Sequence, residues 1–258
     1  MPAEPPTTPG TPEASVLSCR RVGYAYLGRF PALEDVSLDV AAGECVALLG
    51  ANGSGKSTLL KLLDGLVHPD RGQVLALGDP VTEDALADPA ANARFRRRVG
   101  FVFQRSEAQL FSASVRDELA FGCRQLGLPA SETATRVEDA LDMLGLADVA
   151  DRSPVHLSGG QAKRVALGSV LVMNPDVILL DEPTAALDPR TASWLVDMLG
   201  RLRDAGKTLV LATHDLALAE ALADRCVVLG EDHRVLTDAP TGRVLSDRDL
   251  LLRANLVA

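Results

Sequence analysis

The segment Gly50-Ala51-Asn52-Gly53-Ser54-Gly55-Lys56-Ser57 constrains this chain more than any other stretch of it. It follows an apolar run that reads as a strand over Glu44–Leu49. It precedes Leu59, Leu60, Leu62 and Leu63, whose spacing predicts a helix capped by Gly65. A G-x-x-x-x-G-K-[ST] pattern between strand and helix predicts a loop wrapped around a phosphate group. Glycines let successive backbone N–H groups curl inward with no Cβ in the way, and the helix start adds the positive end of its dipole. Lys56 supplies a point charge for the outer phosphates, and the Ser57 hydroxyl is a hard oxygen suited to Mg2+.

Two continuous apolar stretches, Val177–Leu180 and Thr208–Ala212, flank a helical segment over Arg190–Ala205. Strand, helix and strand with both strand faces apolar predict a buried parallel sheet, whose ligands lie at the carboxyl ends of its strands. Asp181 and Glu182 follow the first stretch. Asp181 is suited to hold a Mg2+ shell, and Glu182, facing another way, to polarise a water beside a terminal phosphorus. His214 follows the second stretch and converges on the same edge, with Asp215 reading as the N-cap of the next helix. His68, His156 and His233 have no such setting.

Other strand-like stretches are Val16–Val22, Val36–Val40, Gln73–Leu77, Val99–Phe103 and Cys226–Leu229. Ser114 to Leu146 reads as helical with breaks at Gly127-Leu128-Pro129 and Gly145. Ser158–Met173 and Leu216–Ala223 are further predicted helices. Residues 1–14 carry five prolines and few large apolar side chains, and are expected to be a disordered tail. The expected division is that tail, an α/β domain over 15–240 with a helical insertion near 105–165, and a helical C-terminal extension over 241–258.

A net charge of −9 argues against a chain that wraps nucleic acid by charge, and no nucleic-acid partner is expected. The longest strictly apolar run, Cys45 to Leu49, is far short of the ~20 residues a bilayer-spanning helix needs. The N-terminus lacks a secretory pattern, so any membrane role is expected by docking on another chain. Cys19, Cys45, Cys123 and Cys226 lie far apart with no metal spacing and read as buried free thiols.

Leu157-Ser158-Gly159-Gly160-Gln161 places Ser and Gln at capping-box spacing beside two glycines, a second helix start able to receive an anion. With the motifs above, it makes the chain resemble the nucleotide-binding subunits of ABC (ATP-binding cassette) transporters over nearly all of residues 16 to 240. The resemblance implies an α/β fold, a P-loop NTPase (RecA-like) core with an antiparallel β subdomain and an inserted helical subdomain. It implies ATP and Mg2+ as cofactors and ATP hydrolysis as the activity.

In that family Gly50, Asn52, Gly53, Ser54, Gly55, Lys56, Ser57 and Thr58 belong to Walker A, and Val177–Asp181 is Walker B followed by the catalytic Glu182. Ser158, Gly159, Gly160 and Gln161 are the signature, Asp188 the D-loop aspartate and His214 the switch histidine. Gln104 holds the Q-loop position, sensing Mg2+ with Ser57 and Asp181 and facing the membrane partner. Tyr26 matches the aromatic that stacks on adenine, with Tyr24 close enough to leave the choice open. The resemblance also implies a head-to-tail pairing with a second ATPase chain, identical or not, in which each signature contacts the γ-phosphate held by the other. Integral membrane transporter subunits are the other implied partners, at the cytoplasmic face of the membrane.

The helix after the signature reads Arg164-Val165-Ala166-Leu167-Gly168-Ser169-Val170-Leu171, which is similar to the ATPases of energy-coupling factor (ECF) and cobalt/nickel uptake systems. Gly100–Gln104, Gln109–Phe111, Leu119–Gly122 and Leu252–Leu256 are similar to the same subgroup. Residues 105–125 would then receive the membrane scaffold, with Phe111 and Phe121 either exposed anchors or buried in the helical insertion. The Arg94–Arg98 run is expected to be a solvated helix face.

Overall fold

The computed structural model describes residues 15–105 and 108–257. The proline-rich segment 1–14 lies outside them, and so does the expectation made for it.

Two sheets form the frame. The first is antiparallel, in the order β2 (Phe30–Ala41), β1 (Ser15–Tyr26), β4 (Arg71–Ala76), β5 (Asp79–Pro80). The second has six strands, in the order β10 (Val235–Pro240), β9 (Arg225–Leu229), β3 (Cys45–Leu49), β8 (Thr208–Thr213), β7 (Val177–Asp181), β6 (Val99–Val102). All of its pairings are parallel except that of the edge strand β10 with β9. Every residue of β3, β7 and β8 is buried, as continuous apolar runs in a doubly covered sheet require.

Strand periodicity divides the interior. Ile178, Leu180, Leu209 and Leu211 face one core with α4 (Val115–Gln125), α5 (Ala130–Leu144), α6 (Gly159–Leu171) and α7 (Pro189–Asp204). Val177, Leu179, Val210 and Ala212 face the other, shared with the antiparallel sheet and α1 (Lys56–Leu63). Two short helices, α2 (Glu83–Ala87) and α3 (Pro89–Arg98), lead into β6, and α8 (Leu216–Leu222) leads into β9. Residues 241–257 form α9 (Thr241–Ser246) and α10 (Arg248–Arg253), whose Val244, Leu250 and Leu251 pack on Ala47, Leu49 and Val228.

Several boundaries differ from the sequence reading. β1 continues to Tyr26 because a register shift between Cys19 and Val22, with Arg21 at φ 45, absorbs a bulge. β10 was not anticipated: it alternates half-buried and exposed residues and ends in Pro240, an edge-strand pattern with little apolar signal. α2 and α3 lack apolar periodicity and are defined by their caps, Thr82 accepting from Ala85 and Asp88 from Ala91, with Pro89 opening α3. The Arg94–Arg98 run is only partly a solvated face. Arg94, Arg97 and Arg98 are exposed, but Phe95 is buried and Arg96 turns inward to Asp64.

All four cysteines are free and buried, and burial pushes the thiols of Cys19 and Cys45 up to about 12.

Helix α1 ends in a Schellman cap. Gly65, at φ 66, donates to the Leu62 carbonyl and Leu66 to that of Lys61. This seats Asp64 in the interior, 3% exposed, where Arg96 donates to its Oδ2 at 2.7 Å and its carbonyl at 2.9 Å. Burial outweighs Arg96 and pushes the Asp64 carboxyl up to about 6. A raised acid pKa contributes stability that is complete below the unfolded value and is lost as pH rises through about 6. Asp64→Asn is therefore expected to gain on the parent protein by up to about 3 kcal/mol between pH 4 and pH 7. Urea midpoints of both proteins across that range check this, and a constant difference would contradict it.

Candidate functional site

The phosphate loop leaves β3 at its buried carboxyl end and enters α1. Gly50 (φ 154) cannot accept a side chain: a Cβ there would stand 2.5 Å from the Ser54 Oγ and 2.6 Å from the Leu229 carbonyl oxygen. Gly55, at φ 107, is the N-cap of α1 and lends it no side-chain cap, so the first-turn amides are left for a ligand. Lys56 is buried, its ammonium donating to the carbonyls of Gly50 at 2.7 Å and Ala51 at 3.1 Å. Burial pulls its pKa below the ordinary lysine range, opposed by Glu182 and Asp181.

The parallel register brings three strand ends to this loop. Ser57 Oγ donates to Asp181 Oδ1 at 2.8 Å, joining α1 to the end of β7. Burial pushes the Asp181 carboxyl up, and the Ser57 hydrogen bond opposes it. Glu182, in the left-handed region at φ 43, is held by its N–H to the Ala212 carbonyl at 2.8 Å. Its Oε2 accepts from Thr213 Oγ1 at 3.2 Å. Its Oε1 lies 2.9 Å from His214 Nδ1 and 3.8 Å from Lys56 Nζ. Asp215 caps α8 by accepting from Ala217 and Leu218.

A cleft of about 370 Å3 opens over the loop, lined by Tyr26, Phe30, Asn52, Gly53, Lys56, Ser57, Thr58, Gln104 and Glu182 among others. Tyr26 hydrogen-bonds Thr58 Oγ1 at 3.2 Å through its hydroxyl. Tyr24 meets Tyr26 edge to face at 5.0 Å but packs against the interior core rather than lining the cleft. Phe30, which lies outside the predicted Val36–Val40 strand, opens β2 in the structure and stands half exposed in the cleft lining; the sequence carried no local signal for it.

Not all the predicted site residues converge. Among the described residues, Ser158, Gly159, Gly160, Gln161 and Asp188 do not line the cleft. Ser158 and Gln161 form the expected capping box on α6, with Gln161 Oε1 accepting from Ser158 N–H at 3.0 Å. Asp188 caps α7, accepting from Arg190 and Thr191. Beyond Gln104, Gln109 ties the segment between β6 and α4 to α6 through Ala166 O at 2.9 Å and Ser169 Oγ at 3.1 Å.

The donor set fits MgATP. No group of three or more His, Cys, Asp or Glu residues able to cage a metal occurs among the described residues. One hydroxyl and one carboxylate 2.8 Å apart suit an ion that keeps waters and takes phosphate oxygens for the rest of its shell.

A glycine loop between a buried parallel strand and a helix, with an Asp-Glu pair on a neighbouring strand end, defines a P-loop nucleoside triphosphatase. The family model described as ABC transporter matches residues 33–185. The nickel import ATP-binding protein NikO of Rhodobacter capsulatus is 50% identical over 92% of this chain and 93% of its own. The structure of cbiO1 from Clostridium perfringens, part of the ABC transporter complex cbiONQ, superposes with a TM-score of 0.78 at 34% identity over 95% of this chain and 96% of that one. A dimeric post-hydrolysis state of the ATP-binding cassette MJ0796, bound to ADP and Pi, superposes with a TM-score of 0.78 at 30% identity, covering 87% of this chain and 98% of that one. The chain belongs to the ATP-binding proteins of ABC transporters, and it is an ATPase.

Proposed function

We propose that this chain energises an importer of nickel or cobalt ions, or of a vitamin, through a membrane complex of the energy-coupling type. The observation that carries the catalytic part is Glu182, fixed among Lys56, Thr213 and His214 at the mouth of the phosphate loop. The transport part is supported by the likeness to NikO and cbiO1.

ATP enters with adenine against Tyr26 and its phosphates on the amides of Gly53 to Thr58. Lys56 exchanges its loop carbonyls for the β- and γ-phosphate oxygens. Ser57, Asp181 and Gln104 are the residues that would hold Mg2+, which would supply neutralisation of charge on the phosphates. Glu182 accepts a proton from the attacking water, and His214 orients that water and the γ-phosphate. Ser158, Gly159, Gly160 and Gln161, with Asp188, act on the nucleotide of a second ATPase chain in a head-to-tail dimer. ATP binding and hydrolysis are thereby separated, and closure of the dimer commits the bound nucleotide.

No helix among the described residues is long and apolar enough to cross a membrane. Docking is proposed at a groove of about 320 Å3 lined by Phe103, Gln109, Phe111, Phe121 and Met173. Phe111 and Phe121, 66% and 39% exposed, meet edge to face at 4.8 Å on its rim, an exposed aromatic pair suited to a coupling helix of a membrane subunit. Co-purification tests the reading: recovery of a small integral membrane protein supports it, and recovery with ribosomes or DNA instead removes it.

Base–aromatic stacking is worth about 1–3 kcal/mol, so Tyr26→Ala is expected to weaken ATP binding by a factor of about 5 to about 150. Tyr24→Ala should leave ATP affinity within about twofold, since its ring lies outside the cleft. Calorimetric titration of both variants with MgATP checks the assignment, and the reverse ranking would transfer the role to Tyr24.

A further inference from the structure

The two motifs that stand outside the cleft are joined to each other. Asp188, at the start of α7, accepts from the Thr191 hydroxyl at 2.6 Å through Oδ2, while its Oδ1 accepts the Arg190 and Thr191 amides at 3.0 and 3.1 Å. Thr191 is 7% exposed. What covers it is the first turn of α6: a Cβ built on Gly160 would lie 2.9 Å from Thr191 Oγ1 and 3.4 Å from its Cγ2. One turn further along both helices, the Arg164 guanidinium lies over the Trp194 ring, 4.7 Å from its centre. Positions 160 and 164 of α6 thus meet 191 and 194 of α7 along one seam.

We infer that Thr191 is a positioning residue of the ATPase cycle, whose hydroxyl fixes the Asp188 carboxylate while its side chain seats the glycine turn of α6. It touches neither the cleft nor the reacting atoms, so its effect runs through Asp188 and Gly160. Because both are proposed to act on the nucleotide of the second chain, the inference rests on that reading. A rigid seam presents the two contacts to the partner as one surface. Loosening it leaves each chain able to bind ATP and less able to complete the partner's site.

Thr191→Val keeps the shape and removes the donor, and Thr191→Ser restores the donor without the methyl. Thr191→Val is expected to lower kcat about tenfold, the scale of a hydrogen bond to a charged group. The KM for ATP should stay within about twofold, and Thr191→Ser should return kcat to near the parent value. ATP-dependent dimerisation, followed by size-exclusion chromatography in a Glu182→Gln background, should weaken in Thr191→Val and recover in Thr191→Ser. Parent kcat in Thr191→Val overturns the inference, as does a KM that rises in step with the fall in kcat, or a Thr191→Ser variant no better than valine. If the valine variant does not fold, Thr191→Ala carries the same comparison. Glu182→Gln separates the two levels: an inactive Glu182→Gln beside a fully active Thr191→Val removes only the seam, whereas a fully active Glu182→Gln removes the site reading beneath it.

Discussion

Glu182→Gln is expected to lower steady-state phosphate release by about two to three orders of magnitude while leaving ATP binding intact. The substitution keeps the side chain's size and its hydrogen bond from Thr213 Oγ1, and removes the carboxylate that accepts a proton. Backbone position is set independently, by the Glu182 N–H to Ala212 and the left-handed φ of 43, so the variant should hold its place beside Lys56 and His214. With closure permitted and cleavage blocked, a nucleotide-dependent dimer should accumulate. Phosphate release, equilibrium ATP titration and size-exclusion chromatography with and without ATP test the three parts. Unchanged turnover would place the proton acceptor elsewhere.

The second large effect is expected at Gly55. Its φ of 107 is strained for any side chain, and a Cβ there would lie 2.9 Å from Leu33 Cδ2 and press harder still on the Ala32 carbonyl oxygen. That carbonyl belongs to β2 backbone and cannot rotate aside, so Gly55→Ala must displace the loop or the strand. Backbone strain alone costs about 1–3 kcal/mol, and the first-turn amides move with the loop, so ATP affinity should fall about one hundredfold or more. A lowered Tm should accompany it. Gly53, at φ 87 with nothing near its Cβ position, is the matched comparison. Gly53→Ala carries the backbone strain without the collision and should keep more of the stability. Equal melting curves for the two variants would exclude the contact with β2 as the cause.

The parts of the fold legible in the sequence were those governed by a strong local rule. Val177–Asp181 and Thr208–Thr213 are apolar on both faces and could be little else than central strands. Ser158 and Gln161 announced their cap, as did Asp215, because capping chemistry is local. The glycine loop carried its own context in the strand before it and the helix after it. The edge strand β10 and the helices α2 and α3 were hidden because they bury little: among the residues of α3 only Phe95 is inside. The inward turn of Arg96 was hidden for another reason. Its partner Asp64 lies 32 residues away at the end of α1, and nothing in either segment names the other.

The candidate site divides the same way. Convergence of Lys56, Ser57, Asp181, Glu182 and His214 followed from placing three parallel strand ends on one edge. Which of Tyr24 and Tyr26 faces the cleft needed the register shift of β1 between Tyr24 and Ala25, which leaves the Tyr24 ring on the interior core and the Tyr26 ring in the cleft. Whether Phe111 and Phe121 faced solvent needed the packing of α4 and of the segment before it.

Trp194 is the only tryptophan in the chain, and it stands in the seam between α6 and α7 with the Arg164 guanidinium over its ring. Indole emission responds to a cation held against its face, so the protein carries an intrinsic optical gauge at this junction. Its intensity and colour should change whenever the two helices shift against each other, whatever drives the shift. Stopped-flow mixing with ATP could then time the movement of the junction separately from the release of phosphate, in the unlabelled chain and with no residue replaced.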